Sequence, residues 1–167
     1  TRPELWSAGD GMIVGKVERG QIQANTFLAT KETFSDFALK VSVRLVKGRG
    51  NSGIQFRTRI LPDGRGKGYQ ADVANGFWGL LLEESGRGIL QRPDKEAARQ
   101  PGFVKLDDWN QYVITARDDH LTIELNGFKC VDLEDVKGDL SGVIAVQLHA
   151  GETMEVQFKD IAIKELK

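Results

Sequence analysis

A single cysteine, Cys130, stands among 167 residues, so no internal disulfide can form. Excess charge of either sign is also missing: 23 lysines and arginines offset 24 aspartates and glutamates, for a net charge of −1. Such a balance builds no basic surface for nucleic acid or for an anionic membrane. No apolar run approaches the ~20 residues of a membrane span, so membrane insertion is not expected either. No cluster has the close His/Cys spacing of a structural zinc site. Heptads, low-complexity tracts, internal repeats and linkers are all absent, which predicts one domain over residues 1–167. There is no signal peptide, but a chain opening Thr1-Arg2-Pro3 without methionine reads as excised from a longer secreted protein.

What is present is β-structure. A 40% hydrophobic fraction with 19 glycines suits a loop-rich all-β globule. The plainest hairpin runs from His120 to Leu133 around Asn126-Gly127, the pair that a type I′ turn demands. Closing it sets Leu125 against Phe128, Ile123 against Cys130 and Glu124 against Lys129, with Cys130 on the apolar side as core filler. Phe37, Leu39, Val41, Val43 and Leu45 alternate with Lys40, Ser42 and Arg44, the pattern of a half-buried strand. Further strands are read over Ile54–Ile60, Tyr69–Val73, Phe77–Glu84, Trp109–Arg117, Val143–His149 and Met154–Ile163. Tyr112, Ile114 and Ala116 should match Leu125, Ile123 and Leu121 across an Asp118-Asp119 turn. The apolar parity changes between Phe158 and Ile161, which predicts a bulge near Lys159-Asp160. Residues 93–100 are the one place for a short helix, with Pro93 near its start. The whole predicts a two-sheet antiparallel β-sandwich or jelly roll. Phe37, Leu39, Val41, Ile54, Phe56, Tyr112, Ile114, Ile123, Leu125 and Phe158 are its expected core.

The glycine-rich turns 48–53 and 64–68 look superficially like phosphate cradles, but both lead into strands and not into a helix N-terminus. Ser52 lacks the flanks of a nucleophile elbow and reads as a turn residue. His120 reads as a solvated hairpin-tip histidine, and Trp6 and Trp109 as core or rim packing. The informative residues are on three strand faces opposite the apolar row: Gln55 and Arg57, Gln70 and Asp72, Gln147 and His149. An ordinary wet face looks like Lys40, Ser42 and Arg44; these six are directional hydrogen-bonding groups, two of them with useful titration. In one curved sheet they converge on a polar groove, with Trp78, Glu84 and Arg87 at its rim. The alternative is a solvated sheet face, since alternation sets a side chain's face but not its neighbours.

Seven segments follow one another in order: Asn51-Ser-Gly-Ile-Gln-Phe-Arg57, Gly68-Tyr-Gln-Ala-Asp-Val73, Trp78-Gly79, Trp109-Asn-Gln-Tyr112, Leu125-Asn-Gly127, Gln147-Leu-His-Ala-Gly151 and Val156-Gln-Phe-Lys-Asp-Ile161. Together they resemble the 3-keto-disaccharide hydrolase domain family over nearly the whole chain. The resemblance implies a jelly roll of the concanavalin-like lectin and glucanase type. It also implies carbohydrate as partner, chemistry on sugars oxidised at C3, and a place outside the bacterial cytoplasm. Many members carry glutamate where this chain has Gln70; the nearby carboxylate here is Asp72.

A C3 ketone acidifies the C2 proton, so a modest base suffices to start elimination of the C1 oxygen. His149 or Asp72 is the expected base, Arg57 the partner of the enolate oxygen and Glu84 the acid, with Gln55, Gln70, Gln147, Trp78 and Arg87 binding sugar. No cofactor is required; a divalent ion on Asp72 and His149 is an alternative to Arg57. The competing expectation is a carbohydrate-binding module without chemistry, using Trp78 and the same face.

Overall fold

The computed structural model describes residues 2–167. Strands β1 (Trp6–Gly9), β2 (Met12–Val17), β3 (Thr26–Ala29), β4 (Phe37–Leu45), β5 (Asn51–Ile60), β6 (Gly66–Ala74), β7 (Leu81–Glu84) and β8 (Gly88–Gln91) precede a one-turn helix α1 (Lys95–Ala98). Then come β9 (Asn110–Arg117), β10 (His120–Leu125), β11 (Phe128–Glu134), β12 (Val143–Leu148) and β13 (Met154–Glu165). They form a seven-stranded sheet in the order β1-β2-β13-β4-β9-β10-β11 and a six-stranded sheet in the order β3-β12-β5-β6-β7-β8. Every strand pairing is antiparallel. The architecture is the expected all-β sandwich with one short helix.

Alternation decides what lies between the sheets. All ten expected core residues are at most 2% exposed. The edge of Phe37 meets Phe56 with ring centroids 6.2 Å apart, and Phe56 stacks on Tyr69 at 5.3 Å, so aromatic contact bridges the two sheets. Each such fully buried side chain contributes about 1.5–3 kcal/mol. Helix α1 starts on Asp94, whose carboxylate accepts from the backbone N–H of Glu96 and of Ala97.

The predicted registers of β9 with β10 hold as read, including Tyr112 against Leu125 and Ile114 against Ile123. The bulge near Asp160 is present, with Asp160 at φ 52°. In the β10–β11 hairpin Glu124 meets Lys129 and Leu125 meets Phe128, but Ile123 pairs with Val131 and not with Cys130. A bulge makes Cys130 an extra residue that is still buried, and burial pushes its thiol up to about 11. Two further readings need correction. Residues 77–80 are turn and not strand, because Gly76 and Gly79 take left-handed backbone (φ 82° and 79°) before β7 begins at Leu81. Ser52 belongs to β5 and is buried, its hydroxyl donating to the Gln147 carbonyl at 2.6 Å.

Candidate functional site

Outward positions of β5, β6 and β12 bring Gln55, Gln70 and Gln147 side by side in the six-stranded sheet. Gln55 and Gln147 both donate through Nε2 to Gln70 Oε1, at 2.7 and 3.1 Å. Thr58 Oγ1 donates to Gln55 Oε1 at 2.8 Å, and Gln70 Nε2 donates to Asp72 Oδ1 at 3.0 Å. The three amides form a layer that passes one donor on to a carboxylate and leaves Gln147 Oε1 buried without a partner. Its closeness explains Gly53: a Cβ there would collide with the Gln70 side chain. Phe27 on β3 closes one end, since a Cβ added to Gly66 would lie 3.1 Å from both Phe27 Cζ and Gln55 Oε1. The layer is therefore buried, with Gln55 and Gln147 at 0% and Gln70 at 2% exposure, and not the lining of an open groove.

Asp72 is only 5% exposed and faces no cation at hydrogen-bond distance. Loss of water outweighs the bonds from Gln70 and from the Val73 N–H, the charge of Glu84 adds to the effect, and the carboxyl is pushed up to about 6. His149 and Glu84 both stand close enough to act on that charge. Asn25, just before β3, links them: its Nδ2 donates to Glu84 Oε1 at 3.3 Å and its Oδ1 accepts from the Ala150 N–H at 3.0 Å. His149 Nδ1 lies 2.6 Å from the Ala150 carbonyl. A carbonyl only accepts, so Nδ1 carries a proton, and the neutral tautomer this selects has its lone pair on Nε2. Beneath Asp72, the Tyr112 hydroxyl donates to the Asp72 carbonyl at 2.6 Å and accepts from the Gly79 N–H at 2.9 Å. Burial holds that phenol well above its ordinary pKa, so it stays a donor.

Asp72, His149, Gln55, Gln70 and Gln147, which alternation puts on one face, thus come together, and Glu84 joins them. Three expected site residues do not. Arg57 takes a positive φ of 46° at a bulge in β5, which turns its side chain off the amide face and through to the other sheet. There it is 1% exposed and donates to the carbonyls of Ser35 and Asp118 (2.8 and 2.6 Å) and to Asp36 Oδ1 (3.0 Å). Arg87 grips Asp135 with both Nη groups at 2.8 and 2.6 Å and also pairs with Glu83. Trp78 is 7% exposed and stacks on Tyr112 at 6.4 Å, inside the sandwich and not at a rim. Alternation puts Thr58 on the apolar side with Ile54 and Phe56, and the bulge at Arg57 moves it to the amide face. Nothing in the alternation links Asn25 or Phe27 to the site, which only their cross-strand neighbours bring there. Among the described residues no three His, Cys, Asp or Glu side chains are placed to hold a metal ion.

Residues 1–164 match the 3-keto-alpha-glucoside-1,2-lyase-like domain family. The chain belongs to this family. No curated protein matches it in sequence. Among solved structures it is similar to the carbohydrate-binding module CBM66 from Bacillus subtilis, with TM-score 0.72, 16% identity, and 96% of this chain and 91% of that one covered. It is also similar to a candidate glycosyl hydrolase from Parabacteroides distasonis, with TM-score 0.67, 18% identity and coverage of 98% and 84%. A third is the exoplasmic/lumenal domain of VIP36 in a form bound to Ca2+ and Man3GlcNAc, with TM-score 0.64, 12% identity and coverage of 98% and 83%. At these identities the likeness is one of fold.

Proposed function

We propose that this family member cleaves 3-keto-glycosides at the outer face of the six-stranded sheet, by elimination followed by hydration. The observation that carries the reading is Asp72: a buried carboxyl with a pKa near 6, beside a histidine whose tautomer leaves Nε2 basic. A base at this face, Asp72 or His149, takes the C2 proton, and the C–H electron pair becomes the enolate of the C3 ketone. The enolate then reforms the ketone, the C1–O bond breaks, and the departing oxygen takes a proton from Glu84. Water adds across the resulting C1=C2 bond to give the free 3-keto sugar, so the net change is hydrolysis. Asn25 Nδ2, already aimed at Glu84, serves as the N–H donor on this face in place of the distant Arg57. No step needs a cofactor. The same family resemblance supports a place outside the cytoplasm; no helix among the described residues is long and apolar enough to cross a membrane.

A second reading, a carbohydrate-binding module, is favoured by the amide layer itself. Three glutamines tied through Gln70 Oε1 at 0–2% exposure, with Gln147 Oε1 buried and unpartnered, make a rigid binding floor as readily as a reactive one. The deciding experiment follows a disaccharide and its 3-keto derivative by NMR. Turnover of the keto sugar alone supports the enzyme. Saturable binding of either sugar, with no cleavage across a panel of keto sugars, supports the module and ends the catalytic reading.

A further inference from the structure

A second cavity, away from the amide face, has a different chemistry. It encloses about 360 Å³ between the β6–β7 turn and the segment that carries α1. That is at the small end of ligand pockets (~300–1,000 Å³) and suits a single ring. Its walls are Phe77, Trp78, Phe103 and Leu80, and its only charged lining residues are Arg92 and Lys95. Neither cation has a carboxylate within salt-bridge distance among the described residues, and no acid lines the cavity. The nearby acids are spent elsewhere: Asp94 caps α1 and Glu96 pairs with Arg99. The Arg92 guanidinium lies over the Phe77 ring, 5.6 Å from its centroid, and that ring is 42% exposed. The cavity thus presents an exposed aromatic face together with two positive charges that no carboxylate neutralises.

We propose that this cavity binds a carboxylate-bearing sugar ring, a uronic acid unit of a glycan. The ring's C–H face packs on the apolar wall, and its carboxylate takes the guanidinium in paired N–H···O bonds with Lys95 as a point charge beside it. The Asp72 face has no cation at hydrogen-bond distance, so the two sites differ in the ligand charge they select. Trp78 both stacks on Tyr112 and lines the pocket.

The test is an NMR titration of the intact chain with glucuronate, glucose and benzoate, following the Trp78 indole N–H and the Phe77 ring. Glucuronate at millimolar concentration should shift both saturably, and glucose should shift neither. Arg92→Gln and Lys95→Gln remove exposed charges without touching the core. Each should weaken glucuronate about tenfold, the scale of one lost charge-assisted bond. Asp72→Asn should leave the titration unchanged, which separates this site from the proposed catalytic face. Equal shifts with glucose, or shifts that survive the double substitution, would overturn recognition of the carboxylate. Binding of benzoate alone would overturn the sugar assignment, and no saturable shift with any probe would overturn the site.

Discussion

Asp72 and Asp135 are both nearly buried, at 5% and 8% exposure, yet they titrate in opposite directions. Asp72 is held by a neutral amide and a backbone N–H, and the loss of water wins: its carboxyl rises to about 6. Asp135 receives both Nη groups of Arg87, the Tyr69 hydroxyl at 2.7 Å and the Lys137 N–H, and the guanidinium holds it at about 2. Two hydrogen bonds from uncharged donors do not offset the water that Asp72 has lost, whereas the charged fork on Asp135 does. The Asp135 cluster ties the loop after β11 to β6 and to the β7–β8 turn, and nothing about it is poised to change protonation near neutral pH. Asp72 is so poised. That difference is why one aspartate reads as structural and the other as reactive.

The largest expected effect is on rate. Asp72→Asn or His149→Ala should cut turnover of a 3-keto-disaccharide by about 10²–10⁴-fold, the usual size of an acid–base contribution. The circular dichroism spectrum should stay unchanged. Asp135→Asn should leave the rate of the folded protein near wild type but cost about 3 kcal/mol in chemical denaturation, because it strips a nearly buried ion pair of its charge. Should Asp135→Asn abolish turnover with stability intact, the division between the two sites would fail.

The next effect is one of pH. The folded-state pKa of Asp72 lies above its ordinary value, so folding favours the protonated form. Its stabilising contribution is fully present below about pH 4 and is lost as pH rises through about 6, a change on the order of 2–3 kcal/mol. Wild type should therefore lose stability relative to Asp72→Asn between pH 4 and 7. Asp135 has the opposite sign: its contribution is present above about pH 4 and lost as pH falls toward 2. A difference between wild type and Asp72→Asn that is flat across this range would show Asp72 to be better solvated than its burial implies. The smallest expected effect is that of Gln70→Ala. Removing the one side-chain donor to Asp72 should move the pH midpoint of Asp72 further upward by the worth of one hydrogen bond, about 1 kcal/mol, measurable by NMR titration of the carboxyl carbon.

Much of this protein was legible before folding. Period-two alternation assigned Phe37, Ile54, Tyr112 and Ile114 to the core, and Gln55, Gln70, Asp72 and Gln147 to one outer face. Asn126-Gly127 and the parity change after Phe158 marked a turn and a bulge, because backbone geometry there is local. Seven ordered segments carried the family. Tertiary structure decided the rest. The bulge at Arg57 needs a positive φ in a residue that ordinarily avoids it, and nothing in the alternation of Ile54 to Ile60 signals that. One extra residue was enough to send a predicted catalytic arginine through to the opposite sheet. Trp78 turned inward because two glycines put a turn where a strand was expected from Phe77. Whether a polar face is open or sealed, and whether a carboxylate meets an amide or a guanidinium, depends on strands far apart in the chain. Alternation constrains each strand along its own length; the pKa of Asp72 is set across strands, by groups that only the packed sheet brings together.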